Sequence, residues 1–392
     1  MKITVVYQYF GTKKSGWSTR FYDFAQEWVS NGNEVRIITS PYYKTDLQPN
    51  GFYTNIFIEG IKVTIINSPD SNLFSFFKRA KNSLIFSIVS SVLVFFDKAD
   101  TVVFSSGPIT VLIPFFIKRL FSKNKLIIEH RDLWPDGAIE MGLLAGWKAN
   151  MARAWVNWCN QKADHVVVCS EGMKAILWER GIRAITSIPH GCDLTLRDLD
   201  EEIILPYWTE GAIVFLYAGS LGLMDAVDEA IDGFIKTNLS ENVHLVILGT
   251  GAEEQYLKEK AINSAKSSNI HFYGLVSKNV MVQWYRIAYA SFVLFKKYTI
   301  LSSSSPNKLF DSLVFGVPII HNTQGWIKEL VAKSVIGYNV VPNSSESMGE
   351  IIKRSIDNKE LHGLMRDNAK QMALKSMNRG LMAEKYLDVF NT

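Results

Sequence analysis

Between Ser305 and Ile320 the chain reads SPNKLFDSLVFGVPII, and this segment holds residue types suited to gripping a nucleotide. Pro306 is placed to start a helix, and amides in a helix's first turn have no partner within it, which suits a phosphate. Lys308 falls in that first turn, where a cation opposes the helix dipole, so its presence points to an external anion. Asp311 follows three residues on, on the same helix face, and is able to accept both hydroxyls of a ribose. Gly316 and Pro318 close the helix and open a strand. The same letters also spell an ordinary amphipathic helix with a solvated lysine and aspartate. A second cluster is Glu129–Gly137, EHRDLWPDG, directly after an apolar run. His130, Arg131 and Asp132 crowd the expected carboxyl end of a strand, where functional groups of open α/β sheets collect. Trp134 offers a ring face to a sugar, or else fills a core, and His130 is also readable as a satisfied loop histidine.

Two glycine loops add to this. Gly219-Ser220-Leu221-Gly222 follows an apolar run, and its glycines allow backbone amides to approach a diphosphate, although a tight turn has the same composition. Gly249-Thr250-Gly251 reads as a structural turn. Near the start, Gly11–Arg20, GTKKSGWSTR, separates the first strand from the first helix, with Lys13 and Lys14 as surface charges.

These residues need a scaffold, and β-branched runs alternating with helical patterns supply one. Strands are expected at Ile3–Tyr7, Val35–Ser40, Ile61–Ile66, Thr101–Phe104, Leu126–Glu129, Val166–Cys169 and Ala184–Ile188. Others follow at Ile213–Ala218, Val243–Leu248, Ile270–Tyr273, Ser291–Phe295 and Pro318–Ile320. Most are near-continuous apolar runs, as in a parallel sheet covered on both faces. Helices are expected at Thr19–Asn31, Trp147–Ala163, Glu171–Arg180 and Asn307–Phe315, and the tail from Glu346 to Phe390 reads as helices alone. Such alternation implies an α/β chain of right-handed βαβ units in doubly wound sheets. It lapses at Leu194–Glu210, which is acidic and broken by Pro206. The expected domains are therefore 1–195, 206–375 and a C-terminal helix at 376–392 returning to the first domain.

Composition narrows the functional classes. The 392 residues are 47% hydrophobic and 20% charged, a globular balance with room for two cores. A formal charge of +4 is too weak to argue for nucleic acid and suits anionic substrates or an anionic lipid surface. Cys159, Cys169 and Cys192 lack paired metal spacing and fit free thiols in a reducing compartment. MKITVVYQYF reads as a strand, without the apolar core of a signal peptide. The longest apolar stretch, Leu84–Phe96, falls short of the roughly 18 residues of a spanning helix. Lys78–Phe96 and Pro108–Phe121 combine apolar faces with Lys and Arg, which fits helices resting on anionic lipid or buried core helices equally. The expected location is cytoplasmic, peripheral on the inner face of the cell membrane.

The segment around Lys308 resembles the donor-binding motif of glycosyltransferase family 4, a retaining group with the GT-B fold. In that motif two glutamates flank seven residues; Asp311 matches the second and Ser303 stands in place of the first. Ile188–Asp193, Ser170–Gly181, Leu216–Gly222, Leu248–Gly251 and Phe272–Val276 resemble further family segments in the right order, across about Met1 to Ile320. The run RDLWP is similar to a subgroup that builds bacterial O-antigen, capsule and lipid-linked saccharides. The resemblance implies an α/β GT-B fold with two doubly wound Rossmann-like domains facing a central cleft. It implies donor contacts from Gly16, Gly219, Ser220, Val276, Ser303, Ser304, Ser305, Pro306, Asn307, Lys308, Leu309 and Asp311. Ser220 stands where relatives carry an arginine, Asp225 follows nearby, and Lys308 is left as the cation for the departing diphosphate. Catalytic roles fall to Asp132, His130 and Lys308, and acceptor contacts to Arg131, Trp134 and Trp17. The implied partners are a nucleotide-diphosphate sugar and a polyprenyl-diphosphate-linked saccharide. The nucleotide is expected to be UDP and the sugar an N-acetylated hexosamine or deoxyhexosamine. No metal and no other cofactor are expected. A nucleotide-sugar epimerase of the same fold and a non-catalytic nucleotide-sugar sensor are the alternatives.

Overall fold

The computed structural model describes residues 1–15, 19–71, 73–199, 204–340 and 345–392, and the chain divides into two compact units. The first comprises Met1–His190 with Arg379–Thr392, and the second Gly191–Asn378.

The first unit is built on eight strands: β1 (Lys2–Val6), β2 (Glu34–Thr39), β3 (Tyr53–Ile58), β4 (Ile61–Ile66), β5 (Thr101–Ser105), β6 (Lys125–His130), β7 (His165–Val168) and β8 (Ile185–Ser187). Their order in the sheet is β3-β4-β2-β1-β5-β6-β7-β8, and every pairing is parallel except β3 with β4. The helices are α1 (Arg20–Ser30), α2 (Phe76–Phe95), α3 (Leu112–Phe121), α4 (Asp136–Glu140), α5 (Gly146–Lys162) and α6 (Glu171–Glu179). Apolar residues run without a break along the central strands because alternate side chains serve opposite layers. Val5, Val103, Ile127 and Val167 pack with α1, whereas Val6, Val102, Phe104 and Ile128 pack with α2, α3 and α5.

The second unit carries β9 (Ile213–Ala218), β10 (Val243–Leu248), β11 (Ile270–Gly274), β12 (Ala288–Val293), β13 (Ile319–His321) and β14 (Gly337–Asn339). They form an all-parallel sheet in the order β11-β10-β9-β12-β13-β14, the doubly wound arrangement. Its helices are α7 (Val227–Lys236), α8 (Glu254–Ile262), α9 (Lys278–Ile287), α10 (Asn307–Phe315), α11 (Trp326–Ser334), α12 (Ser345–Asp357) and α13 (Lys359–Lys375). The last helix, α14 (Arg379–Asn391), belongs to the first unit. There Trp28 of α1 is fully buried, donates Nε1–H to the Ala383 carbonyl at 3.0 Å, and meets Tyr386 and Phe390 edge-on.

Two strands have no counterpart in the apolar runs. β3 is an edge strand whose residues alternate exposed and half-buried, so YTNIFI never forms an unbroken hydrophobic stretch. β14 is only three residues long. The run expected at Ser291–Phe295 is displaced, with β12 beginning at Ala288, where its pairing with β9 shifts register, and ending at Val293. The Phe295 amide then leaves the sheet and bonds the Asn322 side chain at 2.9 Å. All three cysteines are free and buried. Among the described residues no helix is long and apolar enough to cross a membrane.

One histidine pair makes stability depend on acid. His244 and His271 of β10 and β11 share a hydrogen bond of 3.0 Å, and Trp208 lies flat against His271 at 4.1 Å. Burial, with His244 nearby, depresses His271 from the ordinary 6.5 to about 4, and burial lowers His244 as well. A histidine whose folded pKa is depressed contributes stability that is complete above its unfolded pKa and lost as pH falls towards its folded one. The thermal midpoint is therefore expected to fall as pH drops from about 6.5 to about 4. Melting curves of His271→Gln should show a shallower fall across that window; an identical slope would remove the pair as the cause.

Candidate functional site

In the second unit the site is organised by the start of α10. Pro306 is its N-cap and no side chain caps it; the Leu309 amide donates to the Pro306 carbonyl at 3.2 Å, and those of Asn307 and Lys308 are left for an external acceptor among the described residues. Just before it, the Ser305 hydroxyl is buried with no hydrogen-bond partner among the described residues. A buried donor beside an uncapped helix start is a place for an anion. The helix stops where the sequence stops it. Gly316 adopts φ +63°, and a Cβ there would also lie 2.5 Å from Cγ of Lys370 on α13.

Lys308 is not the free cation that its position predicts. It is 9% exposed, and its ammonium donates to the Tyr217 hydroxyl at 2.7 Å and to Asp225 Oδ1 at 3.0 Å. Asp225, also buried, accepts the Ser220 hydroxyl at 2.6 Å and the Tyr217 hydroxyl at 2.9 Å. The lysine therefore carries an internal counter-ion, and an incoming diphosphate has to compete with Asp225 for it. Burial and the Asp225 carboxylate together push the Tyr217 phenol well above its ordinary pKa, so it stays protonated.

The glycine loops have a different purpose from the one their composition suggests. The Gly219 amide donates to the Leu248 carbonyl at 2.9 Å, that of Leu221 to Thr250 at 3.0 Å, and that of Gly222 to Asp225 at 3.3 Å. These amides are occupied and do not await a phosphate. A Cβ on Gly219 would lie 2.8 Å from Nζ and Cε of Lys308, so this glycine makes room for the lysine. Gly249, at φ +135°, makes room in turn, since a Cβ there would lie 1.7 Å from the Gly219 carbonyl oxygen.

Other expected donor residues divide clearly. Leu309 is wholly buried among core side chains and offers no surface. Ser303 is 1% exposed and its hydroxyl is spent on the Ile300 carbonyl at 2.7 Å, inside a turn of 3-10 helix (Thr299–Ser303). Ser304 is half-buried, and its carbonyl accepts Trp326 Nε1 at 2.8 Å. Asn307 is exposed, and Val276 is partly buried against the core before α9. Asp311 is half-buried, and its charge adds to burial in raising the Tyr285 phenol. Gly16 and Trp17 lie outside the described residues.

The first unit gathers a second group at the carboxyl end of its sheet. The Arg131 guanidinium lies 4.9 Å over the Tyr7 ring and bonds its hydroxyl, and the Arg131 amide donates to Ser106 Oγ at 3.1 Å. Asp132 next to it keeps contact with solvent, and its carboxylate bonds no described side chain. Desolvation by the surrounding protein raises its pKa above the ordinary carboxylate range, with Arg131 pulling the other way. Trp134 is 38% exposed. Beneath them Glu129 is wholly buried; it accepts Arg20 of α1 and the Ser105 hydroxyl, the latter at 2.5 Å, fixing the end of β6.

His130 does not join this group. It is 3% exposed and hydrogen-bonds Asn160 of α5 at 2.7 Å, and burial lowers its pKa. The catalytic role expected of it passes to a packing role, holding α5 to the sheet. Tyr7, Tyr217 and the Asp225–Lys308 pairing were not singled out in the sequence; the available signal was a tyrosine at the end of each unit's first apolar strand run. Among the described residues no three His, Cys, Asp or Glu side chains gather as a metal site requires.

Two family models match the chain side by side: "Glycosyltransferase Family 4" over residues 14–196 and "Glycosyl transferases group 1" over residues 206–372. An uncharacterized glycosyltransferase of Methanocaldococcus jannaschii is 24% identical over 285 residues, 70% of each chain. Sucrose-phosphate synthase of Thermosynechococcus elongatus has a similar structure, with a TM-score of 0.77 at 12% identity over 100% of this chain and 98% of its own. Anabaena HepE, solved in complex with UDP-glucose, follows with a TM-score of 0.67 at 15% identity over 100% and 99%. The likeness establishes the GT-B fold.

The buried pair makes a direct prediction. Lys308→Met or Asp225→Asn alone should each destabilise the protein by about 3 kcal/mol in urea unfolding, because each strands a buried partner. The double variant should lose less than the sum by about 1 kcal/mol or more. Additive losses would show that the two side chains do not compensate each other.

Proposed function

We propose, for a chain that is a glycosyltransferase of the family 4 type, that it transfers a sugar from a UDP-sugar with retention at the anomeric carbon. The acceptor in this reading is a lipid-linked saccharide destined for a bacterial surface polysaccharide. The observation that carries the donor half is the uncapped start of α10, flanked by the buried, unpartnered Ser305 hydroxyl and by Lys308. UDP is favoured because it is the nucleotide in the Anabaena neighbour. The acceptor class follows the RDLWP run at residues 131–135.

In this mechanism the first-turn amides of α10 and Ser305 hold the diphosphate, and Asp311 takes the ribose hydroxyls. Lys308 exchanges Asp225 for a phosphate oxygen as negative charge develops there, which is electrostatic stabilisation of the leaving group. The acceptor oxygen bonds the anomeric carbon on the face from which the diphosphate departs. The bond from that carbon to the diphosphate oxygen breaks, and the acceptor's proton passes to the departing phosphate. Asp132, raised in pKa by desolvation, orients the acceptor hydroxyl as its proton leaves for the phosphate. Arg131 and Trp134 hold the acceptor by charge and by ring contact. The positive pole comes from Lys308 and backbone amides, so no divalent ion enters the reading.

Steady-state kinetics with a UDP-sugar test the assignments. Asp311→Ala should raise the donor KM about tenfold or more through loss of charge-assisted hydrogen bonds. Asp132→Asn should lower kcat about a hundredfold and abolish an acid limb lying above the ordinary carboxylate range. Chelation of divalent ions should leave the rate unchanged, and proton NMR should show the donor's anomeric configuration in the product. Near-normal turnover in both variants, or an inverted product, would overturn the reading.

A further inference from the structure

α2 is built inside out. Of its six buried residues four are serines, Ser83, Ser87, Ser90 and Ser91. Three of the hydroxyls cost little to bury because the helix satisfies them itself: Ser87 donates to the Ser83 carbonyl at 2.8 Å, and Ser90 and Ser91 to that of Ser87 at 3.1 and 2.6 Å. The opposite, solvent-facing stripe is Phe77, Leu84, Ile88 and Val92, continued past the helix end by Phe96. Ile88 is 53% exposed, Val92 55% and Phe96 75%. A surface helix of a globular protein ordinarily shows the reverse arrangement. At the end of the stripe Phe95 packs edge-on with Phe121 of α3, itself 69% exposed, so the apolar surface spreads across two neighbouring helices. A contiguous patch of this kind marks a binding surface.

Charge identifies what it binds. No Asp or Glu occurs between residues 71 and 96 or between 101 and 128, whereas Lys78, Lys81, Lys98 and Lys123 border the stripe and are exposed. The two acids in the gap are engaged elsewhere: Asp97 pairs with Arg36 at 3.0 Å, and Asp100 accepts the Lys2 amide at 2.7 Å. An apolar stripe edged by lysines and free of acids matches the interface of an anionic bilayer, with hydrocarbon below and phosphate headgroups beside it. No described helix is long and apolar enough to span, so such a helix lies in the interface plane.

We infer that the outer faces of α2 and α3 form a docking surface for anionic phospholipid, with α2 lying along the membrane. The topology gives this surface a use. α2 follows β4 and the Asp132 loop follows β6, strands parallel within one sheet, so the start of α2 and Asp132 lie at the same end of that sheet. A lipid-linked acceptor held in the bilayer would have its headgroup delivered to that end. This deepens the lipid-linked acceptor reading, while the surface itself stands on the exposed faces of α2 and α3.

Flotation of the full chain with vesicles tests it. The protein should float with vesicles of phosphatidylcholine plus phosphatidylglycerol and much less with phosphatidylcholine alone. Ile88→Ser with Val92→Ser should reduce the floating fraction at least about tenfold, and Lys78→Glu with Lys81→Glu about fivefold per charge, on anionic vesicles only. These residues are exposed, so circular dichroism and UDP binding should be unchanged, which separates failure of this surface from failure of the donor site. Equal flotation of wild type and the Ile88/Val92 variant would overturn the inference. So would no flotation together with a dimer, seen by analytical ultracentrifugation, that the same substitutions dissolve.

Discussion

A lysine ammonium buried against one carboxylate and one phenol is the constraint around which the second unit's site is arranged. Lys308 cannot carry its charge at that depth without a partner, and Asp225 and Tyr217 supply one. Several features follow from the need to fit this pair. Gly219 has no side chain because the lysine passes over it, and the Ser220 hydroxyl turns inward to the same carboxylate. The 219–222 loop uses its amides to hold the 249–251 loop and Asp225, and the start of α10 is where the proposed donor would bind. A positive group that is internally neutralised is held ready without the instability of an unpaired charge.

Much of this architecture was legible in the letters. Buried strands such as β9 and β10 announce themselves because parallel strands covered on both faces are near-continuously apolar, with His244 the polar exception in β10. α10 was readable to its ends, since Pro306 and Gly316 have fixed local meanings at a helix start and stop. What was not legible depends on partners distant in sequence. Lys308 and Asp225 are 83 residues apart, and nothing local to either says that they meet. His130 directly precedes the candidates Arg131 and Asp132 in the chain but points to Asn160 on α5. β6 ends at His130, whose side chain faces α5, whereas Asp132 lies beyond the strand in the loop that follows it. The β3 edge was missed because a strand with one solvated face lacks the unbroken apolar run of its neighbours.

The same limit explains α2. Its composition allowed either a core helix or an interfacial one, because periodicity establishes that a helix has two faces without saying which is inward. In the structure four serines are buried with Phe86 and Val94, while Phe76, Phe77, Leu84, Ile88, Val92 and Phe95 are exposed. The first unit thereby combines a polar sheet end, with Arg131 over Tyr7 and an Asp132 carboxylate that bonds no described side chain, with an apolar flank running away from that end. Lipid-linked substrates present the matching combination of a polar head and a hydrocarbon anchor.

The exchange of Lys308 from Asp225 to a diphosphate is the step on which the donor reading turns. Calorimetric titration of UDP into wild type and Asp225→Asn measures it directly. If the carboxylate competes with the ligand for the lysine, the variant binds UDP about tenfold more tightly, a gain of about 1.4 kcal/mol. Unchanged or weaker binding in the variant would contradict the exchange and move the diphosphate away from Lys308.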